Sequence, residues 1–280
     1  MDTTSSSFFD YSLQNNVETL IQTGINVDSL GSVGSMASAP PTAGIKSIIG
    51  ETDDRQILSD MLVRNYPWRA ICHLEIVAND GVRYQGTGFL INSRLLLTAA
   101  HNLFNPSELG GYASAVIVRP GLSGESVVLP ATYGIRILVT EKWKLHRHPD
   151  DDIGGLVLPT PIGDTLGYFA YKGKATVSPG VKITVAGYPS GGNNRIYWQT
   201  DSVAALGSTS LWYRVDTTTG QSGSPAWIEH PGNTPRLVLA VHTNDEQLAP
   251  PTVGEANRGI RITPQITSLI DSWVRSSQPA

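Results

Sequence analysis

The chain contains only one cysteine, Cys72, so no disulfide can form within it and no cysteine zinc cluster can assemble. It lacks any run of 18 apolar residues, so no segment is predicted to span a membrane. Its net charge is only −4, which argues against nucleic acid as a partner. The 280 residues do include 28 glycines and 18 prolines, and this composition predicts many turns.

Basic residues are absent from positions 1–45, which carry four acids. A secretory signal begins with basic residues and a transit peptide is rich in arginine, so neither is predicted here. Residues 30–44, LGSVGSMASAPPTAG, have the composition of a linker, and Lys46 is the first basic residue after them. We therefore divide the chain into a leader (1–46), expected to be a propeptide with a flexible linker, and a body (47–280).

Short strand-like segments follow one another through the body. WRAICHLEIVA (68–78) leads through the hairpin signal Asn79-Asp80-Gly81 into VRYQGTGFLI. Further segments are SAVIVRP, RILVTE, GGLVLP, KITVAGYP, LWYRVD and RLVLAVHT, and their regular spacing favours a β-sandwich or barrel. The end of the chain predicts a helix that starts at Thr263 and Pro264. Its apolar face is Ile266, Leu269, Ile270, Trp273 and Val274.

Residues 216–227, DTTTGQSGSPAW, place Ser222 between Gly220 and Gly223. Glycine, serine, threonine and proline are ordinary loop residues, so one interpretation is a surface turn. The other is a nucleophile on a tight turn, where backbone amides can receive negative charge. A serine nucleophile also needs a base to take its proton and a carboxylate to orient that base.

His101 and Asp152 are the candidates for base and carboxylate. In LLLTAAHNLF, His101 follows an apolar strand, although a histidine there can simply be packed or solvated. In HPDDDIGGLVL, Asp152 is the last acid before an apolar strand, although acidic runs are usually solvated loops. The order His, Asp, Ser is that of chymotrypsin-like proteases. The α/β-hydrolases use another order and need G-x-S-x-G, which Ser224 interrupts.

These motifs resemble the trypsin-fold serine peptidases, since GTGFLI, LLTAAH, DIGGLVL and GQSGSP occur in the same order. SIIGETDDR, PIGDTLGYFAY, TVAGYP, DTTTGQSGSP, LAVHTN and RGIRIT further resemble the bacterial glutamyl endopeptidases, over about residues 47–275. The resemblance implies an all-β, chymotrypsin-like double six-stranded β-barrel with a C-terminal α-helix. It implies a secreted serine endopeptidase that acts on polypeptides without cofactor or metal, and we expect a monomer.

The resemblance also implies a role for each residue of the motif. Ser222 would be the nucleophile, His101 the general base and Asp152 its orienting partner. The backbone N–H groups of Gly220 and Ser222 would form the oxyanion hole.

His242 and Thr217 match the residues with which the Glu-specific group binds the carboxylate before the scissile bond. A buried histidine bonded to its neighbours is the alternative for His242. We identify no aspartate at the specificity position, which disfavours a preference for Lys or Arg. Asp245 and Glu246 would repel an acidic side chain if they point inward, so a serine protease of another specificity stays open.

The bond between Lys46 and Ser47 is the expected site at which a propeptide is removed. Gln221 stands where trypsin-like zymogens have an aspartate that pairs with the new amine, and glutamine cannot form that ion pair. We expect the freed amine to supply positive charge near the specificity pocket instead. A disordered tail without a regulatory role is the alternative.

Two other classes of function stay open. Some trypsin-fold proteins have lost catalysis and serve as binding modules, commonly without a triad residue or the oxyanion glycine, whereas this chain keeps all of them. The segment His146-Arg147-His148-Pro149-Asp150 has two histidines near acids, which can bind zinc or copper, although no third ligand is specified and a polar loop explains them as well.

Overall fold

The computed structural model describes residues 7–13, 48–126, 128–172, 177–228, 235–243 and 254–278. Within these residues the chain forms 17 strands, three α-helices and three 3₁₀ turns. The helices are α1 Glu141–His146, α2 Gly163–Leu166 and α3 Pro264–Ser276. The 3₁₀ turns are Trp68–Ala70, Ala100–Asn102 and Pro149–Asp151.

The N-terminal half is an antiparallel sheet in the order β1-β10-β11-β5-β4-β3-β8-β9, with the pair β6-β7 beside it. Its strands are β1 Phe8–Ser12, β3 Ile71–Val77, β4 Arg83–Leu90, β5 Leu95–Thr98, β6 Phe104–Asn105, β7 Gly111–Tyr112, β8 Ala115–Pro120, β9 Thr132–Tyr133, β10 Arg136–Thr140 and β11 Gly154–Val157. The sheet curls into a half-barrel, with β1 and β9 at its two ends.

The C-terminal half is a closed six-stranded barrel. Its sheet runs β12-β15-β16-β17-β14-β13, and a further pairing of β12 with β13 closes the ring. The short strand β2 Gln56–Ile57 extends it at β13. The barrel strands are β12 Lys182–Gly187, β13 Tyr197–Leu206, β14 Ser210–Tyr213, β15 Pro225–Ile228, β16 Leu237–Thr243 and β17 Asn257–Arg261.

The all-β, chymotrypsin-like fold class expected from the sequence is confirmed, with one closed six-stranded barrel and one open half-barrel of eight strands in place of two six-stranded barrels. Every strand-like segment noted above contains a strand, and the hairpin signal before β4 is a turn in which Gly81, at φ +85°, donates to the Ala78 carbonyl. The C-terminal helix begins as predicted, because the Thr263 hydroxyl accepts the Ile266 N–H. None of the described helices has the length and apolar character to cross a membrane.

Aromatic side chains join the two halves. Phe89 of β4 packs edge-on against Phe169 at 5.6 Å, and Phe169 packs against Trp227 of β15 at 5.5 Å. All three are at most 1% exposed. Large buried rings of this kind contribute strongly to packing, so the halves meet through a buried aromatic core.

The leader contains a strand near its start, which the sequence did not predict. Phe8–Ser12 forms β1, which pairs antiparallel with β10. The segment FFDYS is rich in aromatic residues that favour strands, and Leu13 after it is fully buried. Residues 14–47 lie outside the described residues, and the assignment of the leader as a propeptide stays a prediction.

Candidate active site

The turn that carries Ser222 requires glycine on both sides of it. Gly220 and Gly223 have φ angles of +92° and +90°, which favour glycine. A Cβ atom on Gly220 would lie 2.6 Å from the Tyr188 carbonyl oxygen, and one on Gly223 would lie 2.1 Å from the Thr87 carbonyl oxygen. Ser222 itself is only 6% exposed. The turn is therefore a closely packed structure and not an ordinary surface loop.

The peptide planes beside Gly220 are fixed through their carbonyl oxygens. The Thr219 carbonyl accepts the Ser190 N–H at 2.7 Å, and the Gly220 carbonyl accepts Thr87 Oγ1 at 2.9 Å. Within the described part of the chain, the N–H groups of Gly220 and Ser222 have no acceptor. Two unpaired donors on one turn are suited to hold a developing oxyanion.

The positions of His101 and Asp152 follow from strand pairing. His101 lies in the 3₁₀ turn that follows β5, and Asp152 lies between another 3₁₀ turn and β11. β5 and β11 are antiparallel neighbours, with Thr98 opposite Gly154. The end of one strand therefore meets the start of the other, and the two residues come together.

Asp152 contacts His101 through both carboxylate oxygens. One accepts the His101 backbone N–H at 2.9 Å, and the other lies 2.7 Å from Nδ1 of the ring. The Asp152 side chain is 10% exposed and the His101 side chain is 26% exposed, so the ring keeps an accessible edge. Because an ionised carboxylate only accepts hydrogen bonds, Nδ1 carries the proton and Nε2 is the basic nitrogen.

The pKa of His101 is raised above its ordinary value of 6.5. Burial alone would lower this pKa, because desolvation disfavours the charged ring. The negative charge of Asp152 and its hydrogen bond to the ring outweigh burial, with a further contribution from Glu108. The imidazolium form is therefore stabilised, as a base that must hold a proton during a reaction requires.

Asn102 connects the His101 turn with the Ser222 turn. Its side-chain amide donates to Thr98 Oγ1 at 2.9 Å and to the Ser222 carbonyl oxygen at 3.0 Å. The same carbonyl oxygen accepts the Thr87 N–H at 3.0 Å. Among the described residues, the Ser222 hydroxyl has no hydrogen-bond partner, so the two turns are adjacent without a direct bond from Ser222 to His101.

His242 lies in β16 with its backbone bonded to Gly223 and Ser224, each at 2.8 Å. Its side chain is fully buried. Nδ1 lies 2.6 Å from the Tyr213 hydroxyl oxygen and 3.1 Å from the Arg258 carbonyl oxygen, to which that hydroxyl also donates. Nδ1 therefore carries a proton, and a hydrogen bond from the ring to a substrate would use Nε2.

Thr217 and Thr243 contribute two unusual hydroxyl groups. Thr217 precedes the Ser222 turn, and Thr243 follows His242. Both side-chain oxygens are buried and have no hydrogen-bond partner among the residues that the structure describes. A buried unpaired hydroxyl costs roughly 1–3 kcal/mol, which a bound polar group can offset. Nothing in the sequence pointed to Thr243.

Asp216 is a buried carboxylate that was not among the residues predicted from the sequence. It is 1% exposed and precedes Thr217 directly. Its two carboxylate oxygens accept the backbone N–H groups of Ile49 at 2.7 Å and Asp54 at 2.9 Å. This carboxylate is therefore bonded to the first residues of the body.

Arg55 attaches the same N-terminal segment to the Ser222 turn. Its guanidinium donates to Thr218 Oγ1 at 2.7 Å and to the Gln221 side-chain oxygen at 2.6 Å. That oxygen also accepts the Thr218 N–H at 3.0 Å. An open cleft of ≈ 820 Å³ lies between this segment and residues 189–192. Sequence reasoning gave Gln221 no partner, and the structure assigns it Arg55.

Several predicted residues are not brought into the site. Lys46, Ser47, Asp245 and Glu246 lie outside the described residues. The alternative metal site gains no support, since the described residues contain no group of three or more His, Cys, Asp or Glu side chains that could hold a metal. The Asp150 carboxylate pairs instead with Arg258.

The comparison with known families identifies the chain. A family model for the trypsin-like peptidase domain matches residues 86–231. The chain belongs to the trypsin-like peptidase family. The glutamyl endopeptidase of Bacillus licheniformis is 32% identical to it over 248 residues, which are 87% of this chain and 73% of that protein. This trypsin-like peptidase is thus a serine endopeptidase related to glutamyl endopeptidase.

A second relative and two solved structures are also similar to this chain. The extracellular metalloprotease of Bacillus subtilis is 29% identical over 230 residues, 81% of this chain and 69% of that protein. A solved Glu endopeptidase in complex with MPD superposes with a TM-score of 0.68 at 22% identity, covering 81% of this chain and 98% of that one. The protease Anisep from Arthrobacter nicotinovorans gives 0.59 at 16% identity, with 73% and 94% covered.

Proposed function

We propose that this peptidase forms an acyl-enzyme on Ser222, with His101 as the general base and Asp152 as its orienting carboxylate. The observation that carries the proposal is the 2.7 Å contact between Asp152 and His101 Nδ1, held beside Ser222 by Asn102. This contact leaves Nε2 as the basic nitrogen, which proton transfer from a serine hydroxyl requires.

In the first half of the reaction, Ser222 Oγ attacks the scissile carbonyl carbon while its proton passes to His101 Nε2. The carbonyl oxygen becomes an oxyanion that accepts the N–H groups of Gly220 and Ser222; one such donor is worth on the order of 3 kcal/mol. His101 then protonates the leaving amine, and the C–N bond breaks. In the second half, His101 takes a proton from water, whose oxygen attacks the acyl carbon, and Ser222 leaves with that proton.

We further propose that Thr217 and His242 bind the side-chain carboxylate of a Glu before the scissile bond. The B. licheniformis relative is named for this specificity. The buried, unpaired Thr217 hydroxyl can donate to one carboxylate oxygen. Since Nδ1 of His242 already carries a proton, a ring that also donates from Nε2 is positively charged. A charged donor favours a carboxylate over the neutral amide of Gln.

Residues 1–46 are proposed to be a propeptide that is removed by a cut after Lys46. Support comes from Ile49 and Asp54, whose N–H groups bond Asp216 directly before Thr217. The new amine at Ser47 would add positive charge near the pocket, so the uncut chain should be weakly active. An uncleavable Lys46→Ala chain with full activity would remove this part of the proposal.

We also propose that the peptidase is exported and monomeric and that it has no nucleic-acid partner. The name of the B. subtilis relative includes the word extracellular. The net charge of −4 gives little electrostatic attraction to nucleic acid. Gel filtration of the processed chain tests the oligomeric state, and fractionation of producing cells tests export.

A digest of a denatured protein mixture tests activity and specificity together. The chain is used before and after a cut at Lys46, with Ser222→Ala as the matched control, and cut sites are assigned by mass spectrometry. We expect cuts mainly after Glu, more of them after processing, and none with the control. Cuts after other residues would keep the protease but contradict the role of His242. No cuts by processed chain would favour a binding module.

A further inference from the structure

The strand β1 of the leader is bonded to the sheet along its whole length. Five Cα pairs run from Phe8 opposite Thr140 to Ser12 opposite Arg136. The pairing continues beyond the strand, because the Leu13 N–H donates to the Ile135 carbonyl at 2.8 Å. A leader that served only as a removable tail would not need a continuous strand register with the body.

Side chains on both faces of β1 fit into the body. On one face, Tyr11 stacks on Tyr112 with ring centroids 4.2 Å apart, and Lys144 of α1 lies 3.7 Å from the Phe9 ring centre. On the other face, Phe8 packs edge-on against Trp273 of α3 at 6.3 Å.

Further contacts anchor the middle and the two ends of this segment. Arg136 Nε donates to the Asp10 carboxylate at 3.0 Å. Ser7 bonds the Glu141 side chain, and its carbonyl oxygen accepts the Glu141 N–H at 3.3 Å. Leu13, at the other end, is 0% exposed. The contacts thus involve β10, α1, α3 and the residues around β7.

Without β1, the apolar strand β10 would form the edge of the sheet. Its central residues, Ile137, Leu138 and Val139, are all 0% exposed. An unpaired apolar edge is a template for association with other chains. β1 replaces it with an edge on which Asp10 and Ser12 are exposed. The strand therefore completes the N-terminal sheet as well as beginning the leader.

We propose that the edge of β10 is a strand-binding surface whose occupant is residues 7–13 of the same chain, and that this segment stays bound after the leader is cut. The mature peptidase is then a complex of two chains, the body and a leader fragment held by β1. The second statement rests on the cleavage proposed at Lys46. The first does not, because it depends only on the contacts of β1.

The test uses the full Ser222→Ala chain with a recognition site for a sequence-specific protease inserted within residues 30–44. The folded chain is cut there, passed through a gel-filtration column under native conditions, and analysed by intact mass. Since the cut is made by an added protease, the result does not depend on natural processing. We expect the leader fragment to co-elute with the body at one copy each.

Two variants of the leader test whether β1 holds the fragment on the body. Leu13→Asp places a charge at a fully buried site and should weaken retention at least about 100-fold. Ser12→Thr, at the exposed neighbouring position in β1, should retain the fragment.

Loss of the unmodified fragment from a body that stays folded and monomeric would overturn the proposal. Loss accompanied by dimers of the body would assign the surface to a second copy instead. Retention without any natural cut at Lys46 would support the strand site and contradict the processing step alone.

Discussion

Thr87 Oγ1 donates a hydrogen bond to the carbonyl oxygen of Gly220 over 2.9 Å, from the N-terminal sheet to the C-terminal barrel. The same hydroxyl oxygen accepts the Tyr188 N–H at 2.9 Å, and the backbone N–H of Thr87 donates to Ser222. Thr87 is 0% exposed. One residue of the first half thereby fixes the peptide planes around the proposed oxyanion hole on the second half.

Replacing Thr87 by Val should lower kcat about tenfold and leave KM nearly unchanged. Valine keeps the shape but removes a hydrogen bond worth roughly 1–2 kcal/mol and leaves the Gly220 carbonyl free to turn. Thr87→Ser keeps the hydroxyl and should restore most of the rate. Steady-state kinetics on one peptide substrate measures both constants. An equal rate for Val and Ser would show that the hydroxyl does not position the turn.

Replacing Asp152 by Asn should lower kcat by about four orders of magnitude, because the amide no longer holds the His101 ring with Nδ1 protonated. Asp152 raises the pKa of His101, so in the unmodified enzyme the acid limb of kcat/KM should lie above pH 6.5. Without that charge, burial dominates and the limb should move to lower pH. Matched pH–rate profiles measure the shift, and an unchanged limb would contradict it.

The same raised pKa predicts how the variant loses stability. A raised pKa of His101 stabilises the folded state below the unfolded value of 6.5, and this contribution is lost as pH rises through the folded pKa. Asp152→Asn should therefore lower Tm more at pH 5.5 than at pH 9. Thermal unfolding of both proteins at the two pH values measures it. A larger loss at pH 9 would reverse the assigned sign.

Replacing Thr217 by Val should reduce the preference for Glu over Gln, mainly through a higher KM for Glu substrates. Valine fills the same space without the donor, and a hydrogen bond to a charged group is worth roughly 1.5–3 kcal/mol. Peptides that differ only in this residue supply the comparison, and Thr217→Ser is the matched control. The same Glu-to-Gln ratio in Thr217→Val would assign the carboxylate contact to other groups.

Replacing Arg55 by Met should lower the activity of the processed chain several-fold, because the Gln221 side chain loses its charged donor. Arg55→Lys keeps the charge but cannot bond Thr218 and Gln221 in the same planar geometry, so it should be intermediate. Rates with a short peptide, measured after the same cut at Lys46, give the comparison. Full activity of the Met variant would show that the bonds from Arg55 to the Ser222 turn do not contribute to catalysis.

The sequence predicted about half of the strands of the body, and each of these has a local signal, an apolar run bounded by turn residues. It did not predict β1, since its partner is far along the chain: Asp10 and Arg136 are 126 residues apart. The strand β13 was also missed, because YWQTDSVAAL is mostly half-buried and has no clear alternation.

Some residues of the candidate site could also be predicted from local motifs, and others could not. His101, Asp152 and Ser222 stand in short motifs, so they could be named from the sequence, and strand pairing explains why the first two meet. Thr87, Asn102 and Arg55 act through contacts between distant segments. Their roles follow from tertiary structure, and no spacing in the sequence indicates them.

The most direct test of the account is to treat the processed chain with a phosphonofluoridate and to find the modified residue by intact mass and peptide mapping. His101→Ala is the matched control, because it keeps Ser222 but removes the proposed base. We predict a single adduct on Ser222 in the unmodified enzyme and little or none in the variant. An adduct on another residue, or equal labelling of Ser222 in both proteins, would contradict a nucleophile activated by His101.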